Sequence, residues 1–355
     1  MKKTLSLLIL LCFCISVKAQ YSKVQPKKKR DIYIDSLKKA KYPFVFPALG
    51  QKAQKQGVDI ILPHGIMANG IYTKQDLKLT DLQVGFNDSE LIGLDSIVRF
   101  DHITGEAFVS NFRFDTYIFP FLNVYALAGT MNGNTKVVLA EPISFSTTTH
   151  NPGKYYGVGI MLAGGFGSFW ITNDINFAWT DLELLDRPVK TRIIGIRVGK
   201  AFQMENHPQQ NFALWVAAQN QKVFNQTSGE ITAQQLGIDG SKINDMQTQL
   251  DSWYQNLSPP QQKLYENLYN KVSNGLADLE TNLPNSSIHY QFNKSLLTPW
   301  HVSLGGQWQI NKHWQIRGEA GGAYRKQQYM LSVNYRFGIK GRNIMSGDKK
   351  ATESK

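Results

Sequence analysis

Along most of this chain, large apolar residues return at every second position. The clearest run is Gln327 to Phe337, where Tyr329, Leu331, Val333, Tyr335 and Phe337 alternate with Met330, Ser332, Asn334 and Arg336. A period of two places the two sets on opposite faces of one strand. One face suits hydrocarbon and the other suits water, which is the strand pattern of a transmembrane β-barrel. The pattern recurs upstream from Ala107, with Phe108, Phe112, Phe114 and Ile118 on one phase. It continues through Tyr156, Val158, Ile160 and Leu162, then Phe169, Ile171, Ile175, Phe177 and Trp179, then Ile194, Ile196 and Val198. Phe212, Leu214 and Val216 follow, and later Trp300, Val302, Leu304, Trp308 and Ile310. Each run approaches the length of about 9–11 residues that a tilted strand needs to cross a bilayer.

The connections alternate in length. Pro120 to Leu122, Gly165 to Gly167, Glu205 to Gln210 and Asn311-Lys312 are short, whereas Asn132 to Gly153, Leu182 to Val189 and Asn225 to Thr298 are long. In bacterial barrels short turns face the periplasm and long loops face outward. Both ends of the barrel are then periplasmic, and the strand number is even. Nine strands run from Ala107 onward, so one or three precede them; Gly65 to Tyr72, Leu77 to Phe86 and Ser96 to Ile103 are the candidates. The expected fold is all-β, a closed antiparallel transmembrane barrel of twelve strands, with ten as the alternative.

The long insert changes period. Ile243, Met246, Leu250, Trp253 and Leu257 recur at spacings of three and four, as do Leu264, Leu268, Val272, Leu276 and Leu279. Between them Ser258-Pro259-Pro260-Gln261 reads as a helix start with a capping box. A helical hairpin of residues 230–283 must bury its apolar faces, on each other or over the barrel mouth.

The closing strand resembles the C-terminal signal of Gram-negative outer-membrane barrels, although eighteen residues follow Phe337. The Ala19-Gln20 junction and the long tail resemble a Bacteroidota-type exported protein. The resemblance covers about residues 60–338 and implies residence in the cell outer membrane, contact with its lipid, and insertion by the barrel-assembly machinery. A soluble β-sandwich would also alternate, but the aromatic excess on the presumed outer face argues against it.

Composition adds compartment and organisation. Lys2, Lys3, the apolar run Leu5 to Val17 and Val17-Lys18-Ala19 form a secretory signal over residues 1–19. Both cysteines, Cys12 and Cys14, lie inside it, so the exported chain has neither disulfides nor thiolate metal sites. Residues 20–58 form a periplasmic lead-in or plug, 59–338 the barrel, and 339–355 a disordered periplasmic tail. The net charge of +12 concentrates in the two tails, which favours anionic headgroups over nucleic acid.

Candidate chemistry lies on the water-facing phase: Arg113, Asp115, Asp174, Arg197, His301, Arg317, Glu319 and Arg336. Charge is costly against lipid and tolerated in a wet lumen. These residues read either as salt-bridged packing of a small barrel or as a selectivity lining for a small polar solute. The same phase carries Gly157, Gly159, Gly165, Gly195, Gly199 and Gly305, which leave space for water, a plug or tight curvature. Trp170 and Trp215 also fall on it, which suggests a rim position or a local slip of phase. His301 with Ser303 is the one loose suggestion of a nucleophile and base. No Walker loop, HExxH or EF-hand spacing occurs, and neither cofactor nor metal is expected. The leading expectation is a non-enzymatic pore or small-solute channel. The alternatives are an anchored adhesion or binding protein presenting the insert, and an outer-membrane lipid hydrolase.

Overall fold

The computed structural model describes residues 28–341, apart from residues 88, 225 and 282. The signal segment, both cysteines and residues 342–355 lie outside the described residues. Ten antiparallel strands close into a ring: β1 (His64–Phe86), β3 (Arg99–Phe119), β4 (Leu122–Glu141), β5 (Phe145–Phe166), β6 (Phe169–Leu182), β7 (Val189–Gln203), β8 (Asn211–Phe224), β11 (Trp300–Gln309), β12 (Trp314–Ala323) and β13 (Lys326–Phe337). The seam pairs the first ring strand with the last, from His64 opposite Phe337 to Gln75 opposite Lys326. Three further strands lie outside the ring: β2 (Ile92–Gly93), β9 (Gln226–Thr232) and β10 (Ser287–Leu296).

The barrel therefore closes on ten strands rather than twelve. The three early candidates are not separate crossings. Gly65 to Tyr72 and Leu77 to Phe86 are two halves of the single 23-residue β1, and Ser96 to Ile103 is largely the start of β3. Strands this long overrun the bilayer and continue beyond it. β1 leaves the ring after Asp76, and a register shift between Thr80 and Gln83, with Asp81 at φ 56°, bends it a few residues further on, within its ladder with β10. The presumed long loop Asn132 to Gly153 is likewise mostly strand, because β4 and β5 stay paired up to Leu139 opposite Phe145.

The outward phase is apolar and exposed. Phe112, Val158, Ile160, Leu162, Val216, Val302, Leu304 and Leu331 all stand on the outer wall. A continuous band of this kind would aggregate in water and is satisfied by lipid. Aromatic rings mark its two edges: Trp314 and Tyr335 beside Phe337 at one end, and the stacked pairs Tyr72–Tyr329 and Tyr156–Trp179 towards the other. This is an integral membrane β-barrel. Among the described residues no helix is long and apolar enough to cross a membrane.

Each end of the ring is covered. At the end carrying the short turns lies a strap, residues 28–63, which contains α1 (Lys29–Lys39) and α2 (Gly50–Lys55). Its Lys28 pairs with Glu205 and its Arg30 donates to the Pro208 carbonyl, both in the β7–β8 turn. Lys312, in the β11–β12 turn, sits over the Tyr33 ring. Further on, Phe44 bridges Lys340 just past β13, and the Ala48 amide donates to Ile118 at the end of β3. Because β7–β8 lies opposite β1 in the ring, the strap spans the mouth.

At the other end stands the insert: β9, α3 (Gly240–Gln255), α4 (Pro259–Thr281) and β10. Asp239 caps α3 by accepting from the Lys242 amide, and the Ser258 amide and hydroxyl both donate to Gln261 at the start of α4. The apolar helix faces serve both proposed uses. Ile243, Met246, Leu250, Val272, Leu276 and Leu279 pack together and also against Phe86 of the extended β1, Leu94 and Ile97 of the β2–β3 connection, Ile231 of β9 and Ile288 of β10. Gly275 makes this approach possible, because a methyl there would run into the Phe86 ring. β9 and β10, which pair antiparallel at the base of the two helices, add a sheet beside the barrel, with β10 pairing to the far half of β1. Its signal was the alternation of Ile288, Tyr290 and Phe292, which follows the helical stretch within the long connection before Thr298.

Candidate functional site: a capped lumen graded from polar to apolar

The lumen is built from the inward phase of the ring. Its hollow measures about 870 Å³ and runs from the polar wall near the strap to the underside of the cap. Two charged clusters organise the polar wall. In the first, Arg336 donates to Asp115 at 3.1 Å and to the backbone oxygens of Leu62 and Pro63, while Asn123 donates to the same carboxylate at 2.7 Å. Arg113 reaches Asn123 at 3.1 Å and lies 3.7 Å over the Tyr125 ring.

In the second cluster Glu319 accepts from five side chains: Arg197, Arg317, Ser303, Gln219 and Trp215, at 2.7 to 3.2 Å. Arg197 also pairs with Asp174. Since Arg197 is on β7 and Glu319 on β12, this pair crosses the lumen as a chord. All eight residues singled out above lie on the inner wall, and seven of them join these two clusters. Four arginines meet three carboxylates, so the ladder is nearly neutral.

His301 is the exception. It is buried at 3 % exposure, and neither ring nitrogen has a partner among the described residues. Ser303 donates to Glu319, not to His301, so no nucleophile–base pair forms there. Among the described residues no group of three or more His, Cys, Asp or Glu is placed to hold a metal ion.

The inward glycines serve a purpose that the spacing alone did not reveal. Gly65 lies directly between Arg336 and Asp115 on the neighbouring strands, and those two side chains bond across it. Gly305 lies between Trp215 and Glu319, which meet at 3.2 Å. Gly159 lies between Tyr125 and Asn176, which are hydrogen-bonded, and Gly199 lies between the contacting rings of Trp170 and Trp215. At each of these glycines an added methyl would collide with the bridging group. Each glycine is thus a saddle over which two neighbours touch. The space is filled by those neighbours rather than left for solvent. Trp170 and Trp215 accordingly belong to the lumen, and neither a rim position nor a slip of phase is needed to explain them.

Away from the strap the wall becomes apolar. Ile71, Leu77, Leu79, Ile103, Val109 and Met131 line the hollow below, and Met246, Leu276 and Leu279 of the cap close it from above. The β10 face adds Tyr290, Phe292, Lys294 and Leu296.

No family model matches the chain, and no curated protein matches it. Solved structures that resemble it are bacterial outer-membrane barrels. The outer membrane protein OprG from Pseudomonas aeruginosa is 10% identical with a TM-score of 0.36, over 79% of this chain and 98% of that one. The transport unit of the autotransporter AIDA-I from Escherichia coli is 9% identical with a TM-score of 0.34, over 89% and 100%. The Pseudomonas putida toluene transporter TodX is 8% identical with a TM-score of 0.26, over 77% and 87%. At such identities and superpositions nothing about the cargo of this chain follows from theirs.

Proposed function

We propose that the protein is an outer-membrane channel that admits a small, largely apolar solute into a capped chamber and releases it past a polar gate. The observation that carries this reading is the continuous hollow of about 870 Å³, apolar under the helical cap and polar towards the strap. Small-molecule sites are typically hollows of about 300–1,000 Å³ with mainly apolar walls and a few placed polar groups. By the convention of bacterial barrels the cap lies outside the cell and the strap in the periplasm. An apolar chamber favours an apolar cargo over the small polar solute suggested by the charged residues, because those charges are already paired to one another.

An anchor presenting the insert as an adhesive surface is less well supported, since the apolar helix faces are used up against the barrel mouth. The reading is tested with the full chain in proteoliposomes, using an environment-sensitive apolar dye such as N-phenyl-1-naphthylamine. Saturable binding inside the barrel, competed by other small apolar solutes, is expected. Dye uptake no greater than that of protein-free liposomes would overturn the proposal.

A further inference from the structure

Lys294 is the feature of the chamber that an apolar cargo does not explain. It lies on β10 between Phe292 and Leu296, two residues to either side, and all three line the hollow. Across the ladder its register partner is Leu79, and Leu296 pairs with Leu77, both on the same apolar wall. The side chain is partly accessible, as one facing a hollow is. Among the described residues its ammonium takes part in no hydrogen bond and no ion pair. Burial alone lowers its pKa, and no carboxylate contributes. An unpaired charge against hydrocarbon is unfavourable, and sequence offers easy remedies such as a leucine or an adjacent glutamate. Neither is present.

We infer that Lys294 receives the head of a single-chain amphipathic anion whose alkyl tail lies in the chamber, a carboxylate or a phosphate monoester. A small hydrophilic anion would gain nothing from Leu77, Leu79, Phe292 and Leu296. A neutral apolar solute would leave the ammonium without a counter-ion. Only a ligand with both parts satisfies both. The volume accommodates one long alkyl chain and its head within the usual range for small-molecule sites. This inference rests on the channel reading above and deepens it by naming the class of cargo.

The test compares oleate, dodecyl phosphate and oleyl alcohol binding to the full chain in phosphatidylcholine nanodiscs, corrected for uptake by empty discs. The wild type is expected to hold at least one of the two anions about tenfold more tightly than the alcohol, as a charge-assisted contact would give. Preference for oleate points to free fatty acids, and preference for dodecyl phosphate to phospholipid-derived chains. Lys294→Met keeps the length and apolar stem and should erase the preference, whereas Lys294→Arg should keep it. Equal affinity for all three ligands in the wild type, or a preference that survives Lys294→Met, overturns this inference and leaves the apolar channel standing. Failure of all three to bind the wild type overturns both.

Discussion

At the scale of single residues, the inner wall works through pairs that meet over glycine. Gly305→Ala would force the Trp215 indole off Glu319, and overpacking of this sort costs about 1–3 kcal/mol. Urea titration of the refolded barrel in lipid should show that loss, and shortening the obstacle in the double variant Gly305→Ala/Trp215→Ala should recover part of it. Glu319→Ala is expected to be more harmful. It leaves Arg197 and Arg317 buried with their shared acceptor gone, a loss of about 3–5 kcal/mol for a broken buried pair. The same titration would refute this if Glu319→Ala unfolded at the wild-type midpoint. The charged members of these clusters were legible from alternation alone, because period two separates lipid from lumen. The glycine saddles were not, since each needs three strands in register, and register is a long-range property that one stretch of sequence does not carry.

At the scale of elements, helices and strand phases were easier to read than strand limits. The start of α4 at Ser258-Pro259 followed from local hydrogen bonding, and the structure places the capping contacts there. The strand count went to ten because Thr73, Lys74, Gln75 and Asp76 look like a boundary in β1, while the backbone stays paired straight through them. Polar residues interrupt the hydrophobic pattern where the strand leaves lipid, not where it ends.

The α3 cap gives a pH-dependent expectation. Hydrogen bonds from the Lys242 amide and the Ser241 hydroxyl hold Asp239 below its ordinary pKa of 3.8. A depressed folded pKa means that the capping contribution is present above the ordinary value and is lost as pH falls through the lowered one. Measured relative to the intrinsic rate at each pH, hydrogen exchange in the first turn of α3 should therefore speed up in strong acid. Asp239→Ala should show the faster exchange at neutral pH as well.

At the scale of the whole molecule, a ring covered at both ends conducts only if a cover moves. Replacing residues 239–282 by a short Gly-Ser linker removes both cap helices and exposes Phe86, Ile231 and Ile288 to the outside. Single-channel conductance in planar bilayers should rise above that of the full chain; an unchanged trace would locate the restriction at the polar gate or the strap instead. The strap can be examined separately, because the two cysteines of the chain, Cys12 and Cys14, both precede the strap and the barrel, which contain none. Ala48→Cys with Ile118→Cys joins two positions already linked through a backbone hydrogen bond. If the strap must swing away for release, solute flux should fall on oxidation and return with reductant.

One strand ties these motions together. β1 begins at the seam with β13, passes out of the ring, and ends as the partner of β10 beneath the cap. It is therefore a lever with its fulcrum near the bend at Asp81. A load on the outer arm, from a ligand or a neighbouring surface molecule, would reach the seam as torque rather than dissipate in a loop. Tension applied to the cap should accordingly weaken the β1–β13 ladder before any other in the ring, and the barrel would part along the line where it was last joined.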